Sequence, residues 1–169
     1  MELAIGLPLI IMMLWAMSNL FAGTWKECRY LIADFTMQIE VNNAMQRIVS
    51  DLNVASHADS MSNGRLMINS YVYDYNNKMI CVEKSPIYYF KDHTDNAAIS
   101  YDAIYRQRSL NAKAQPLTGM DILSDVNIII FKRTPIDKNF WDIEIIAESR
   151  VSGHRYRLKT KVYTGGADQ

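Results

Sequence analysis

The chain is poor in the residues that usually carry chemistry. Lys and Arg together number 18, as do Asp and Glu, so no global field draws the protein to nucleic acid or acidic lipid. Its three histidines, His57, His93 and His154, are scattered, with no HExxH or other metal-ligand spacing. The two cysteines, Cys28 and Cys81, do not have zinc spacing. The sequence lacks a G-x-S-x-G elbow, a P-loop and a dinucleotide glycine pattern after a strand. No repeat of 20–50 residues runs through it. These absences leave no catalytic, cofactor-binding or metal constellation, and the expectation is a non-enzymatic protein without a cofactor.

Charge is also missing from Leu3 to Trp25, LAIGLPLIIMMLWAMSNLFAGTW. A helix of about 20 residues spans roughly 30 Å, the thickness of a bilayer's hydrocarbon core. A secretory signal would place basic residues first and a small-residue cleavage site afterwards. Here a lone acid, Glu2, comes first. A carboxylate at the edge of a spanning segment is costly to bury and needs a partner, or it is an ordinary hydrophilic residue at a membrane border.

No proline falls between residues 9 and 85, and Gly23 is the one expected bend. Leu31, Phe35, Val41, Met45, Ile48 and Leu52 recur at helical steps between polar residues, which predicts an apolar stripe. One helix is therefore expected from about 3 to 55, ending in the turn-rich run 56–64. From Arg65 the period becomes two, with a hairpin turn at Asn76-Asn77. KDHTDN reads as a polar loop, 109–125 as loop-rich, and VNIIIFKR as a strand buried on both faces. GGADQ reads as a disordered end.

WDIEIIAE and HRYRLKTKV fix one antiparallel register. Trp141 faces Val162, Ile145 faces Leu158 and Ala147 faces Tyr156. On the other side Glu148 meets Arg155, Glu144 meets Lys159 and Asp142 meets Lys161. The basic stripe Arg155, Arg157, Lys159 and Lys161 could track a phosphate backbone. The facing acids give it a simpler use, so nucleic acid is not an expected partner. Arg106, Arg108 and Lys113 form a loop cluster that is a candidate ligand contact. The tyrosines at 71, 73, 75, 88, 89, 101 and 105 read as cross-strand packing rather than as a stacking platform. Cys28 and Cys81 are either a disulfide pair, if the body lies outside the cytoplasm, or two semi-buried thiols.

The expected fold is α+β: a long N-terminal helix, part transmembrane and part amphipathic, packed on an antiparallel β-sheet. Its parts are 1–25 (transmembrane and assembly helix), 26–56 (amphipathic continuation) and 57–169 (globular β domain).

The opening E-L-A-I-G-L-P-L-I-I resembles the start of type IV pilin-like subunits, and NNAMQRIVSDLNVAS resembles the end of their long helix. The order PIYYF, ISYDAIYRQR, PLTGMDILSDVNIIIF, WDIEIIAES, YRLKTKVY is similar to the body of PilW-like minor pilins and J-type minor pseudopilins of type II secretion. Pro8, six residues after the acid, is similar to the E-x-A-x-x-x-P opening of Tad-type pseudopilins. The family's basic leader ending in Gly does not precede Glu2, so Met1 is either an internal start or the mark of a divergent member. The first basic residues, Lys26 and Arg29, run against the positive-inside tendency.

The resemblance implies a filament subunit of a pilus, secretion, competence or Tad system, acting in initiation or at the tip. Glu2 would pair with the N-terminal amine of a neighbouring subunit. Implied partners are other pilins or pseudopilins, membrane lipid before assembly, an inner-membrane assembly platform and a prepilin peptidase. The implied location is the bacterial inner membrane, crossed once with the β domain outside, and then the filament. Two rival expectations are a filament-tip module binding DNA or a surface ligand, and a plain membrane-anchored extracytoplasmic domain.

Overall fold

The structure, a computed structural model, describes residues 2–76, 78–82, 85–96, 99–119, 125–137 and 139–165. The side chains of residues 2–5, 72–74, 82, 96 and 99 also lie outside the described set. One helix, α1 (Glu2–Asn53), is 52 residues long, about 78 Å at 1.5 Å per residue. It runs uninterrupted through Gly23 and contains Pro8, which donates no N–H and leaves one rung of the ladder unmade. Thr24 in the apolar half donates its hydroxyl to the carbonyls of Leu20 and Phe21, so this polar side chain is satisfied within its own helix.

Among the described residues nine strands follow: β1 (Ala55–Ser60), β2 (Leu66–Asp74), β3 (Met79–Val82), β4 (Ile87–Asn96), β5 (Ile99–Gln107), β6 (Gln115–Pro116), β7 (Val126–Asp137), β8 (Phe140–Ser149) and β9 (Arg155–Tyr163). They form two antiparallel sheets rather than the single sheet expected. One runs β1-β2-β4-β5-β6 with β3 on β2, and the other runs β7-β8-β9. The sheets meet where Asp102 N–H donates to Asn127 Oδ1 at 2.9 Å and Lys91 Nζ to the Ile129 carbonyl at 2.9 Å. A shared core joins α1 to both, with Val41, Ile48, Leu52, Leu66, Ile68, Tyr89, Ile104, Ile128, Trp141, Ile143 and Ile145 among its members.

The β8–β9 register is the one read from the sequence: Trp141↔Val162, Ile145↔Leu158, Ala147↔Tyr156, Glu148↔Arg155, Glu144↔Lys159 and Asp142↔Lys161. Two ion pairs are nevertheless displaced diagonally. Arg157 Nε reaches Glu144 Oε1 at 2.6 Å and Lys159 Nζ reaches Asp142 Oδ2 at 2.8 Å, while Arg155 pairs directly with Glu148. Long side chains on a twisted sheet can reach across the diagonal as well as straight over.

Three other expectations are corrected. The first half of 56–64 is a strand, since Ala55–Ser60 pairs along β2, and the turn is confined to Met61–Arg65. KDHTDN is the second half of β4, paired residue for residue with β5 from Lys91↔Ile104 to Asn96↔Ile99. β7 is not buried throughout: Val126, Ile128 and Phe131 are buried while Ile130 is 41% exposed. A bulge between Ile128 and Ile130 shifts the alternation by one residue. Pro135 is accommodated because β7 is an edge strand. Asn77 of the proposed turn and the end after Gly165 lie outside the described residues.

Candidate assembly surface

α1 is long and apolar enough to cross a membrane, and its most apolar 18-residue window is wholly unburied. Leu7, Met12, Trp15, Phe21 and Trp25 are all exposed. The apolar exposure does not stop at Trp25. Leu31, Ile32 and Phe35 are 67%, 67% and 65% exposed, which corrects the expectation that Leu31 and Phe35 belong to the packed stripe. The buried apolar residues of this half are Ala33, Met37, Val41, Ala44, Met45, Ile48 and Leu52, which recur along one face at steps of three and four, with Ala44 and Met45 adjacent. Leu31 and Phe35 are two residues out of that phase, about 200° around the helix. They extend the unpartnered apolar face beside the body instead of pinning the body down.

Four polar clamps fix the second half of α1 to the sheets. Nearest the apolar half, Asp34 accepts from the Ser152 hydroxyl and lies 2.6 Å from His154 Nδ1. The Ser152 hydrogen bond, aided by His154, holds the Asp34 carboxyl below the usual range against the opposing effect of partial burial. One turn and a half further on, Glu40 accepts the Gly119 N–H at 2.8 Å. Gly119 has φ +70°, and a Cβ there would lie 2.5 Å from the Tyr101 ring, so glycine alone fits. Asn42 then meets the Tyr156 hydroxyl at 3.4 Å.

The last clamp is buried. Asp51 Oδ2 accepts from Arg106 Nε at 3.0 Å, from Arg106 Nη2 at 2.9 Å and from the Tyr89 hydroxyl. Burial, reinforced by the neighbouring carboxylate, pushes the Tyr89 phenol well above its usual value. Burial acts against the Arg106 charge, but the bonds to Asp51 and Tyr89 outweigh it and raise its pKa. This site was invisible in the sequence: 55 positions separate Asp51 from Arg106, and no spacing rule joins them.

Arg106 is thereby corrected. It lies in β5, 8% exposed and committed to Asp51, so it is not free to contact a ligand. Arg108 and Lys113 are exposed and do not share its site. Of the basic stripe, Arg155, Arg157 and Lys159 are neutralised by β8 acids. Cys28 and Cys81 form no disulfide and are both exposed. Cys28 precedes Ala33, the first buried residue of α1, and Cys81 lies on β3, attached to the far half of β2. Of the tyrosines, Tyr88 and Tyr89 are buried and Tyr105 stacks on Phe90 with centroids 5.8 Å apart, whereas Tyr75 is 85% exposed. The Glu2 side chain lies outside the described residues.

Ser100 Oγ lies 2.7 Å from His93 Nε2, and His93 Nδ1 lies 2.7 Å from Asp102 Oδ1, the order of a Ser-His-Asp relay. Asp95 Oδ1, however, also sits 3.1 Å from Nε2. The hydrogen bond to Asp102, with help from Asp95, raises the His93 pKa. A second carboxylate on Nε2 competes with the serine hydroxyl for the nitrogen that would take its proton. The group stands on an exposed hairpin face and works as an electrostatic tie. Among the described residues no group of three or more His, Cys, Asp or Glu is placed to hold a metal.

No protein-family model, curated protein or solved structure matches this chain.

Proposed function

We propose that this chain is a non-enzymatic, pilin-like filament subunit, a minor pilin or pseudopilin. In this reading it waits in the inner membrane with its β domain outside. It is then drawn from the bilayer and packs its apolar helix among the helices of like subunits. The observation that carries the reading is the division of α1: the most apolar 18 described residues of its first half are wholly unburied, while the second half is clamped to the body from Asp34 to Asp51. A simple anchor needs only a span. Here the exposed apolar face continues to Phe35, alongside the body and beyond the roughly 20 residues that a bilayer's hydrocarbon core takes up.

Glu2 carries the coupling in this proposal. A carboxylate at the edge of hydrocarbon needs a cation, and the amine of a neighbouring subunit supplies one. Glu2→Ala is therefore expected to give a stable, membrane-located protein that no longer enters filaments, scored by its presence in sheared filament fractions. Unchanged incorporation overturns the reading. The rival reading of a DNA-binding tip loses its central cation, since Arg106 is buried against Asp51.

A further inference from the structure

Among the described residues, two buried hydrogen-bond donors that lack an acceptor share one face of one sheet. Among the described residues, Arg133 Nε on β7 is buried without a hydrogen-bond partner, and so is Trp141 Nε1 on β8. Arg133 stands opposite Ile143, and Trp141 opposite Pro135. Positions 133 and 141 are therefore diagonal neighbours on the core-facing side, within reach for long side chains. A guanidinium Nε–H and an indole N–H can only donate.

Among the described residues the guanidinium is held in place without a carboxylate partner. Its Cζ lies 4.9 Å from the Phe131 ring centroid. Its Nη2 lies against the β1–β2 turn, where a Cβ added at Gly64 would come within 3.1 Å. Burial alone acts on its ionisation and lowers its pKa. Three other arginines of the body do have carboxylate partners: Arg106 has Asp51, Arg155 has Glu148 and Arg157 has Glu144. A half-buried cation without a counter-charge is costly, and a bound anion would remove that cost.

We propose that Arg133 and Trp141 form a receptor for a single carboxylate, one oxygen accepting from Arg133 Nε and the other from Trp141 Nε1. One positive charge suits a carboxylate monoanion better than a phosphate dianion. The guanidinium of Arg65, beside Gly64, is taken up by the Phe90 ring at 4.4 Å and by Gln107 at 3.4 Å. The receptor lies at the end of the body away from the apolar rod. Ser152 and His154, at the other end of the β8–β9 hairpin, meet Asp34. Gly165, three residues beyond the Val162 that faces Trp141, abuts the Asn53 carbonyl. Those two points on α1 are roughly 28 Å apart, so the carboxylate comes from solvent or another protein chain rather than from a lipid headgroup.

The test uses sodium acetate, titrated into the isotope-labelled full chain in nonionic detergent at fixed ionic strength, with inorganic phosphate and chloride as comparisons. The chain has three tryptophans, so its indole N–H region holds three resonances. Acetate is expected to shift the Trp141 resonance saturably and to leave Trp15 and Trp25 unmoved. Arg133→Lys keeps the charge but loses the Nε donor, and should weaken the titration by about tenfold. A wild-type Trp141 response to acetate no larger than that to chloride overturns the proposal, as does a tighter response to phosphate. So does a chain ending at Gly165 whose Trp141 resonance is displaced before any acetate is added, because the protein's own tail then supplies the acceptor. The wild-type titration decides the question even if the variant fails to fold.

Discussion

Asp51 on the helix and Arg106 on β5 meet in a buried ion pair, Nη2 to Oδ2 at 2.9 Å, with the Tyr89 hydroxyl on the same oxygen. The pair joins the last turns of the rod to β5 from within the core. Removing one member leaves the other's charge largely buried, with the half-exposed Arg47, 3.9 Å from Asp51 Oδ1, beside the carboxylate.

Asp51→Asn or Arg106→Met alone is expected to destabilise the body by about 3–5 kcal/mol, whereas replacing both by apolar residues of similar volume should cost much less. Tyr89→Phe should cost about 1–2 kcal/mol. Denaturant unfolding followed by tryptophan fluorescence measures all of these. Equal losses for the single and double replacements would show that the pair is not a unit.

The phase of α1 gives a paired prediction. Met37 is 2% exposed and Leu31 67% exposed. Met37→Ala should cost about 2–5 kcal/mol, while Leu31→Ala should change stability by less than about 0.5 kcal/mol. Thermal unfolding of the two variants side by side distinguishes them, and a large loss from Leu31→Ala would contradict the assigned face.

Two of the three ion pairs across the last hairpin are diagonal. A double-mutant cycle on Arg157 and Glu144 should yield a coupling of about 0.2–1 kcal/mol, modest because Arg157 is largely exposed. The cycle on Glu144 and its direct neighbour Lys159 should be smaller. A reversed order would favour the straight-across pairing suggested by the sequence.

His93 links the β4–β5 hairpin to pH. Its pKa is raised above 6.5, first by the Asp102 hydrogen bond and then by Asp95; Lys91 faces the same cluster from β4. A value raised on folding means stabilisation that is fully present below about pH 6.5 and lost as pH rises through the folded-state value. The His93 ring should titrate above 6.5 by NMR, and Asp102→Asn should lower its midpoint. A wild-type midpoint at or below 6.5 would contradict the geometry.

How much of this was legible in the sequence depended on how many constraints each segment carried. The β8–β9 register was readable residue by residue because both faces were patterned: Trp141, Ile145 and Ala147 on one, Asp142, Glu144 and Glu148 on the other. The ends of flexible side chains were not, since register does not choose between straight and diagonal partners. Helix α1 was legible in extent but not in phase at Leu31 and Phe35, because this stretch is apolar on two faces and periodicity alone cannot say which one the body takes. β1 and the second half of β4 were hidden by turn-forming residues such as Asp59, Asp92 and Asp95, whose strand conformation is supported by cross-strand pairing. Asp51, Tyr89 and Arg106 were hidden for another reason: tertiary folding alone brings them together.

The central claim is that the apolar half of α1 joins subunit to subunit. A photo-reactive phenylalanine analogue placed at Leu14 and, separately, at Phe35 tests it in cells that assemble filaments. The account predicts adducts to the helix of a second subunit at both positions, recovered in the filament fraction. Adducts to lipid alone at Leu14, with none to protein at Phe35, would contradict it.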